Sequence, residues 1–270
     1  PEMKKMTHRL LEFSKLKKSL ISKFTDKESM SIFRHAFIHK SYSLSSDYDL
    51  FEYRGDMTLN LCVGNYIHDR YPEIINVDWL TRMKHYIISK KLVGLVANLK
   101  HIVYAEEIKE LLEDPKDILD DTLEAFLGAL QKVVRKKHKT FGVYIELSRN
   151  IVFHLMDQIE IDPYDYKLYY DSISRLKEVY DKYHWNFKLS LSDIHDPETG
   201  IHAATIKAYP KGRQTRHPQN QVTYTFTALS KDEAKRGVTA LALKKLEENY
   251  NIKMKIPDYR KKNTWKPPKH

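Results

Sequence analysis

Cysteine is nearly missing from this chain of 270 residues, which holds only Cys62. A single thiol excludes an intrachain disulfide and a cysteine zinc cluster, and it fits a reducing compartment, intracellular and most simply the cytoplasm. Cys62 itself reads as a small core residue. Long apolar runs are missing too. No stretch approaches the ~18 apolar residues of a membrane span, and the most apolar region, Tyr86 to Ala105, is broken by Lys90, Lys91 and Lys100. There is no GxGxxG and no GxxxxGKS or GxxxxGKT loop, so a nucleotide cofactor has no support. HExxH is absent as well. His35 and His39 stand four apart, but Ala36-Phe37-Ile38 lie between them, and both read as structural histidines on one helix.

Positive charge is what the chain has in surplus. The formal net charge is +10, with 41% hydrophobic and 30% charged residues. That is an ordinary folded composition with a bias toward a polyanionic partner, because each neutralised phosphate releases condensed counterions. Charge alone leaves open which polyanion.

From Leu10 to about Met156 the apolar spacing is helical, with few proline or glycine breaks. Turns are expected near Ser43–Asp47, Tyr71–Asp78, Asp114–Asp117 and Lys136–Thr140. Glu160-Ile161-Asp162-Pro163-Tyr164-Asp165 is short, acidic and proline-bearing, so it reads as a linker. The texture then changes. A helix is expected over Ser172–Tyr183, and strands over Asn186–Leu191, His202–Tyr209 and Gln221–Ala228. Ser230 follows as an N-cap, with a helix over Lys231–Tyr250. The predicted fold is a mainly α domain over 1–158, a linker at 159–165, and an α-β-β-β-α unit of the α+β class over 164–250. Residues 251–270 carry seven Lys/Arg against Asp258 alone, and are expected to form a basic tail without order.

Two acidic pairs carry the chemistry. In Asp49-Leu50-Phe51-Glu52-Tyr53-Arg54-Gly55-Asp56, helical geometry puts Asp49, Glu52 and Asp56 on one face amid apolar neighbours. In Asp120-Asp121-Thr122-Leu123-Glu124-Ala125-Phe126-Leu127-Gly128, Asp121 and Glu124 again stand three apart on an apolar helix. Unpaired carboxylates in such surroundings are costly. Glycine costs a helix interior about 1 kcal/mol relative to alanine, and Gly55, Gly64 and Gly128 are explained if another backbone comes close. If the two helices cross at their small residues, Glu52, Asp56, Asp121 and Glu124 converge. A hard dication with oxygen ligands would then supply the counter-charge, and Mg²⁺ suits a site that also takes phosphate oxygens.

The run Asp49 to Asp56 resembles the signature helix of the ribonuclease III family, and Asp121-Thr122-Leu123-Glu124-Ala125 resembles its second acidic motif. His39-Lys40-Ser41-Tyr42 and Arg70-Tyr71-Pro72 fit in order and spacing, so the resemblance spans about residues 10–156. It implies an endoribonuclease that hydrolyses double-stranded RNA, leaving 5′-phosphate and 3′-hydroxyl ends with short 3′ overhangs. Glu52, Asp56, Asp121 and Glu124 would be catalytic and bind Mg²⁺, with Mn²⁺ as a substitute; Asp49 would lie near the RNA. Arg54 stands where an apolar residue is usual, and is open between a contact with a second chain and one with RNA. One constellation per chain against two antiparallel strands implies a homodimer through the N-terminal domain.

The second unit resembles a double-stranded-RNA-binding domain. That resemblance implies RNA contacts for Glu178 on its first helix, for His202 after the loop Thr199-Gly200-Ile201, and for Lys231, Lys235 and Arg236 at the start of its last helix. Asp232 replaces a second lysine there. The loop Pro210–His217 adds Lys211, Arg213 and Arg216, whose role is open between phosphate contact and solvation. The alternative to a nuclease is a catalytically silent, ribosome-associated binder of duplex RNA.

Overall fold

The computed structural model describes residues 2–39, 42, 47–90, 92–97, 116–169, 171–182, 185–195, 200–210, 222–250 and 256–262. These form two compact units. One is made of Pro1–Asp165 with Pro257–His270, the other of Tyr166–Ile256.

The first unit is helical: α1 Glu2–Phe13, α2 Lys18–Phe24, α3 Lys27–Ala36, α4 Tyr48–Arg70, α5 Val77–Ser89, α6 Leu92–Ala97, α7 Lys116–Lys136 and α8 Phe141–Met156. Side-chain caps begin two of these helices. The Asp26 carboxylate accepts from the Ser29 N–H at 2.8 Å ahead of α3, and the Asn76 carbonyl oxygen accepts from the Trp79 N–H at 3.1 Å ahead of α5. Helix α7 is the centre of the unit. Every residue from Thr122 to Leu130 is buried, the pattern of a helix enclosed on all sides. Helices α3, α4, α6 and α8 pack around it.

Glycine fixes the closest of these crossings. A Cβ on Gly55 of α4 would fall 1.7 Å from the Glu124 carbonyl oxygen, and one on Gly128 of α7 would fall 2.1 Å from the Phe51 carbonyl oxygen. The two helices therefore touch backbone to backbone through reciprocal glycines, as the small-residue spacing predicts. Gly64 differs: a Cβ there would meet only the Lys84 side chain at 3.8 Å, so no close backbone explains it. Buried polar contacts fix the register. The Tyr48 hydroxyl meets Thr122 Oγ1 at 3.2 Å, and Thr58 Oγ1 meets the Tyr144 hydroxyl at 2.6 Å. Cys62 is buried, and burial pushes its thiol up to about 12. The histidine pair does not share a helix, because α3 ends at Ala36. His39 instead packs edge-on against Tyr48, with ring centroids 5.1 Å apart.

The basic tail departs from expectation over residues 257–262, which are ordered against the first unit. The Tyr259 carbonyl accepts from the N–H groups of Ile75 and Asn76 at 2.8 and 3.1 Å. Its ring lies 5.4 Å from Trp79 and 5.3 Å from Tyr164. Composition alone reads this stretch as solvated charge. Its backbone and one aromatic side chain decide otherwise, since each aromatic pair contributes roughly 0.5–1.5 kcal/mol beyond area burial. The expectations for 251–255, for 263–270, for Lys40-Ser41, for the turns at 43–46 and 114–115 and for the loop at 211–217 lie outside the described residues.

The second unit runs α9 Ser172–Lys182, β1 Trp185–His195, β2 His202–Pro210, β3 Val222–Ala228, α10 Lys231–Tyr250. Its three strands form an antiparallel sheet in the order β1-β2-β3, with Leu189 opposite Ile206 and Ile206 opposite Tyr224. Alternation sets its faces. Ala204, Ile206 and Tyr224 join Leu176, Val179 and Tyr180 of α9 and Ala234, Val238, Ala242 and Leu246 of α10 in the core. Thr205 and Thr225, one position along, bond to each other at 3.1 Å on the exposed side.

Candidate active site

The crossing of α4 and α7 places the acids. Glu52, Asp121 and Glu124 each present a carboxylate oxygen within 4.8 Å of the other two. Glu52 and Asp121 are partly buried, whereas Glu124 is only 8% exposed. The Glu124 carboxyl is pushed up to about 9, first by burial and then by the charges of Asp120, Asp56, Asp121 and Glu52. At neutral pH it therefore holds a proton unless a cation replaces it.

Asp56, the fourth expected ligand, lies outside this oxygen triad. Its Oδ1 accepts from Asn60 Nδ2 at 2.7 Å, one turn along α4, while its charge still acts on Glu124. Asp49 is exposed in the first turn of α4. The donor set is all oxygen, closely spaced and short of positive charge, which fits a hard divalent cation and would suit a thiophilic one poorly.

Sequence reasoning passed over Asp120. It is buried at 4% exposure, it accepts the Gly94 N–H at 3.1 Å, and its charge acts on Glu124 more strongly than that of any other acid. The available signal was a second acid beside Asp121 on a helix apolar on every face. Gly94 answers it from α6, where a Cβ would lie 2.4 Å from the Asp120 Cα.

Helix α4 also bears an apolar stripe facing solvent: Leu50, Tyr53, Met57 and Leu61 are 47–65% exposed. Beside it lies a cavity of about 680 Å³, lined by Leu50, Phe51, Arg54, Phe141 and Tyr144 among others. Arg54 thus belongs to the rim of an apolar hollow. Lys132, on the same rim, pairs with Asp47 at 2.7 Å and holds that carboxyl below its ordinary range.

In the second unit the expected contact residues fall on three elements. Glu178 lies on α9 with Arg175 Nη1 3.8 Å from its carboxylate. His202 opens β2, two residues after Gly200, whose φ of +66° favours glycine. Lys231 and Arg236 are exposed on the first turns of α10, and Lys235 is spanned by Asp232 at 3.4 Å. Ser230 caps that helix, accepting the Glu233 N–H at 3.2 Å. The acid at position 232 thus draws on a neighbouring lysine within its own helix.

No protein-family model matches the chain. Individual proteins do. It is 22% identical over 272 residues to "Putative ribonuclease 3" of Invertebrate iridescent virus 6, across 95% of this chain and 91% of that protein. It is 31% identical over 150 residues to ribonuclease 3 of a Campylobacter jejuni subsp. doylei strain, across 53% of this chain and 60% of that protein. Among solved structures, the nuclease domain of ribonuclease III from Campylobacter jejuni covers 49% of this chain at 24% identity, with a TM-score of 0.40. The named protein relatives support a nuclease, and within that class a ribonuclease III enzyme. The chain spans about 60% of the length of the bacterial relative, and nearly all of the viral one.

Proposed function

We propose that the chain is an endonuclease for double-stranded RNA that works with Mg²⁺ held at the crossing of α4 and α7. The observation that carries this reading is the triad Glu52, Asp121 and Glu124, gathered within 4.8 Å with Glu124 buried and driven to protonation when no cation is present. Such a group has no structural benefit, since apolar residues of the same size would pack more stably. A bound dication supplies there a water acidified toward neutrality and a counter-charge for the leaving oxygen. Glu52, Asp121 and Glu124 would hold and orient such an ion, with Asp56 adding negative charge from the next turn and Glu124 giving up its proton to make room for it. Asp49, exposed at the start of the same helix, would face the incoming duplex.

One such centre per chain cannot cut two strands of opposite polarity by itself. The exposed stripe Leu50, Tyr53, Met57 and Leu61, beside a hollow lined by Leu50, Arg54, Phe141 and Tyr144 among others, fits a two-fold pairing of α4 with its copy. One Campylobacter jejuni nuclease-domain structure is described as flexible in a region involved in dimer formation. Two centres so arranged would leave 5′-phosphate and 3′-hydroxyl ends offset between strands. The unit Tyr166–Ile256 would be the double-stranded-RNA-binding domain, meeting phosphates through Lys231, Lys235 and Arg236 and ribose or minor-groove edges through Glu178 and His202.

The test is incubation of purified protein with long duplex RNA and Mg²⁺, beside Ca²⁺ and EDTA controls and the Glu124→Gln variant. Cutting that needs Mg²⁺ and is lost in the variant is the expected result. Binding of duplex RNA without cutting would replace this reading with that of a silent binder.

A further inference from the structure

The chain leaves the helical unit at Asp165 and returns to it at Pro257. Both connections are fastened to one patch of that unit. On the outgoing side, the Trp79 indole N–H donates to the Pro163 carbonyl at 3.0 Å, and the Tyr164 hydroxyl donates to the Glu73 carboxylate. On the returning side, the Tyr259 carbonyl accepts two backbone N–H groups, from Ile75 at 2.8 Å and Asn76 at 3.1 Å. The Asn76 amide donates to the Lys261 carbonyl at 3.0 Å. The Tyr259 ring closes the arrangement, against Trp79 at 5.4 Å and Tyr164 at 5.3 Å.

The returning segment is shaped for this. Pro257 restricts the approach, and Asp258 turns the chain by accepting the Arg260 N–H on its carboxylate and the Lys261 N–H on its carbonyl. Both devices reduce the freedom lost on docking. The receiving side is equally specific: Asn76 is buried at 4% exposure and Trp79 at 3%, and the two N–H groups that meet Tyr259 precede α5, where no helical carbonyl is available to them.

We propose that residues 257–261 are a strap that ties the returning chain beside the outgoing one, so that residues 166–256 are held on a closed loop and not on a single linker. A module held at both ends explores less space than one on a free linker, and its effective concentration at a fixed site rises accordingly. On the proposed function, on which this consequence rests, the strap sets how far the RNA-binding unit can stray from the carboxylate triad.

The experiment compares the full chain with Tyr259→Ala and Tyr259→Phe, the latter keeping the ring contacts. Amide hydrogen exchange is read over residues 73–80, and ¹⁵N relaxation over 166–256. Tyr259→Ala is expected to speed exchange at Ile75 and Asn76 by about tenfold or more and to shorten the rotational correlation time of 166–256, while Tyr259→Phe stays near wild type. In cleavage of duplex RNA the alanine variant is expected to raise KM by roughly threefold to tenfold with kcat retained. Unchanged exchange would overturn the strap itself. Faster exchange with unchanged tumbling would overturn its restraining role. Protection that fades on dilution would assign the segment to a second copy and overturn the closed loop. Absence of RNA cleavage, with both biophysical effects present, would count against the proposed function and leave the strap standing.

Discussion

The two units handle charge in opposite ways. In the helical unit, acids are pressed into the middle of the fold: Glu124 lies within a run of buried residues on α7, and Asp120 beside it is also buried. In the second unit, Lys231 and Arg236 stand exposed on α10 over an apolar core, with Lys235 partly exposed beside them, and the buried charge of α9, Arg175, lies near the oppositely charged Glu178. Buried like charges must be answered by something, so the first arrangement points to a specific ligand and a reaction. Exposed cations are inexpensive and point only to a kind of partner. The difference teaches that a site can be over-determined by packing or merely displayed by it, and the two respond differently to mutation.

Breaking the packing should have the largest effect. At Gly55 a methyl group would fall 1.7 Å from the Glu124 carbonyl oxygen. Relief requires separating α4 from α7, which breaks the core and the triad together. Gly55→Ala is expected to cost about 3 kcal/mol or more in denaturant unfolding, at the upper end of overpacking effects, and to abolish activity. Gly64→Ala on the same helix is the control. Its new Cβ meets only a flexible lysine at 3.8 Å, so it should stabilise by roughly 0.5–1 kcal/mol through helix propensity. Equal costs at the two positions would remove the crossing from the explanation of the site.

Next in size is the charge at the centre. The Glu124 carboxyl moves from 4.5 to about 9 on folding. Between those values the folded chain holds a proton that the unfolded chain has released, so metal-free stability must fall as pH rises through that window. Glu124→Gln is expected to lose metal-dependent cleavage by about a hundredfold or more. It should also flatten the decline in Tm between pH 5.5 and 8.5 measured in EDTA. Added Mg²⁺ should restore wild-type Tm most at the alkaline end, because loading displaces the proton, and should do little for the variant. A pH profile identical in both proteins would show that Glu124 does not carry the strain of the site.

How much of this was legible beforehand follows the same division. The crossing could be read because Gly55 and Gly128 cost helix stability, and only a neighbouring backbone justifies them. Gly64 obeyed the same sequence rule without the contact, since helix patterning does not say which face meets a partner. Asp120 escaped notice because an Asp-Asp step looks like surface charge until the helix is known to be enclosed. Asp56 is expected among the ligands from its spacing on α4 and from the family resemblance, and the structure adds its Asn60 partner one turn on. Residues 257–262 were unreadable for another reason: their partners Ile75, Asn76 and Trp79 lie far away in sequence, and local composition speaks only of lysine and arginine. In the second unit element order was plain from periodicity, while its contact surface rested on resemblance, because exposed cations leave no packing signature.

The displayed surface should respond more gently, and in a way that salt reveals. Changing Lys231, Lys235 and Arg236 together to alanine removes three cations near the start of α10 and leaves Ala234 and Val238, its buried residues there, in place. Thermal unfolding should barely move. Affinity for duplex RNA should fall about equally across sequences, and the dependence of log affinity on log salt should flatten by about one for each residue that truly meets a phosphate. A slope reduced by less than one would leave Lys235 paired with Asp232 and the others as solvated charge, and the second unit would need another role.

The smallest change separates scaffold from surface within that same helix. Ser230 accepts the Glu233 N–H at 3.2 Å and so caps the start of α10. Ser230→Ala should cost about 1 kcal/mol of stability in the second unit. It removes no cation, so the salt slope for RNA should match wild type even if affinity drops slightly. If the slope fell as it does in the triple variant, then the basic residues act through the order of the helix start, and the contrast between an enclosed site and a displayed one would no longer hold for this half of the molecule.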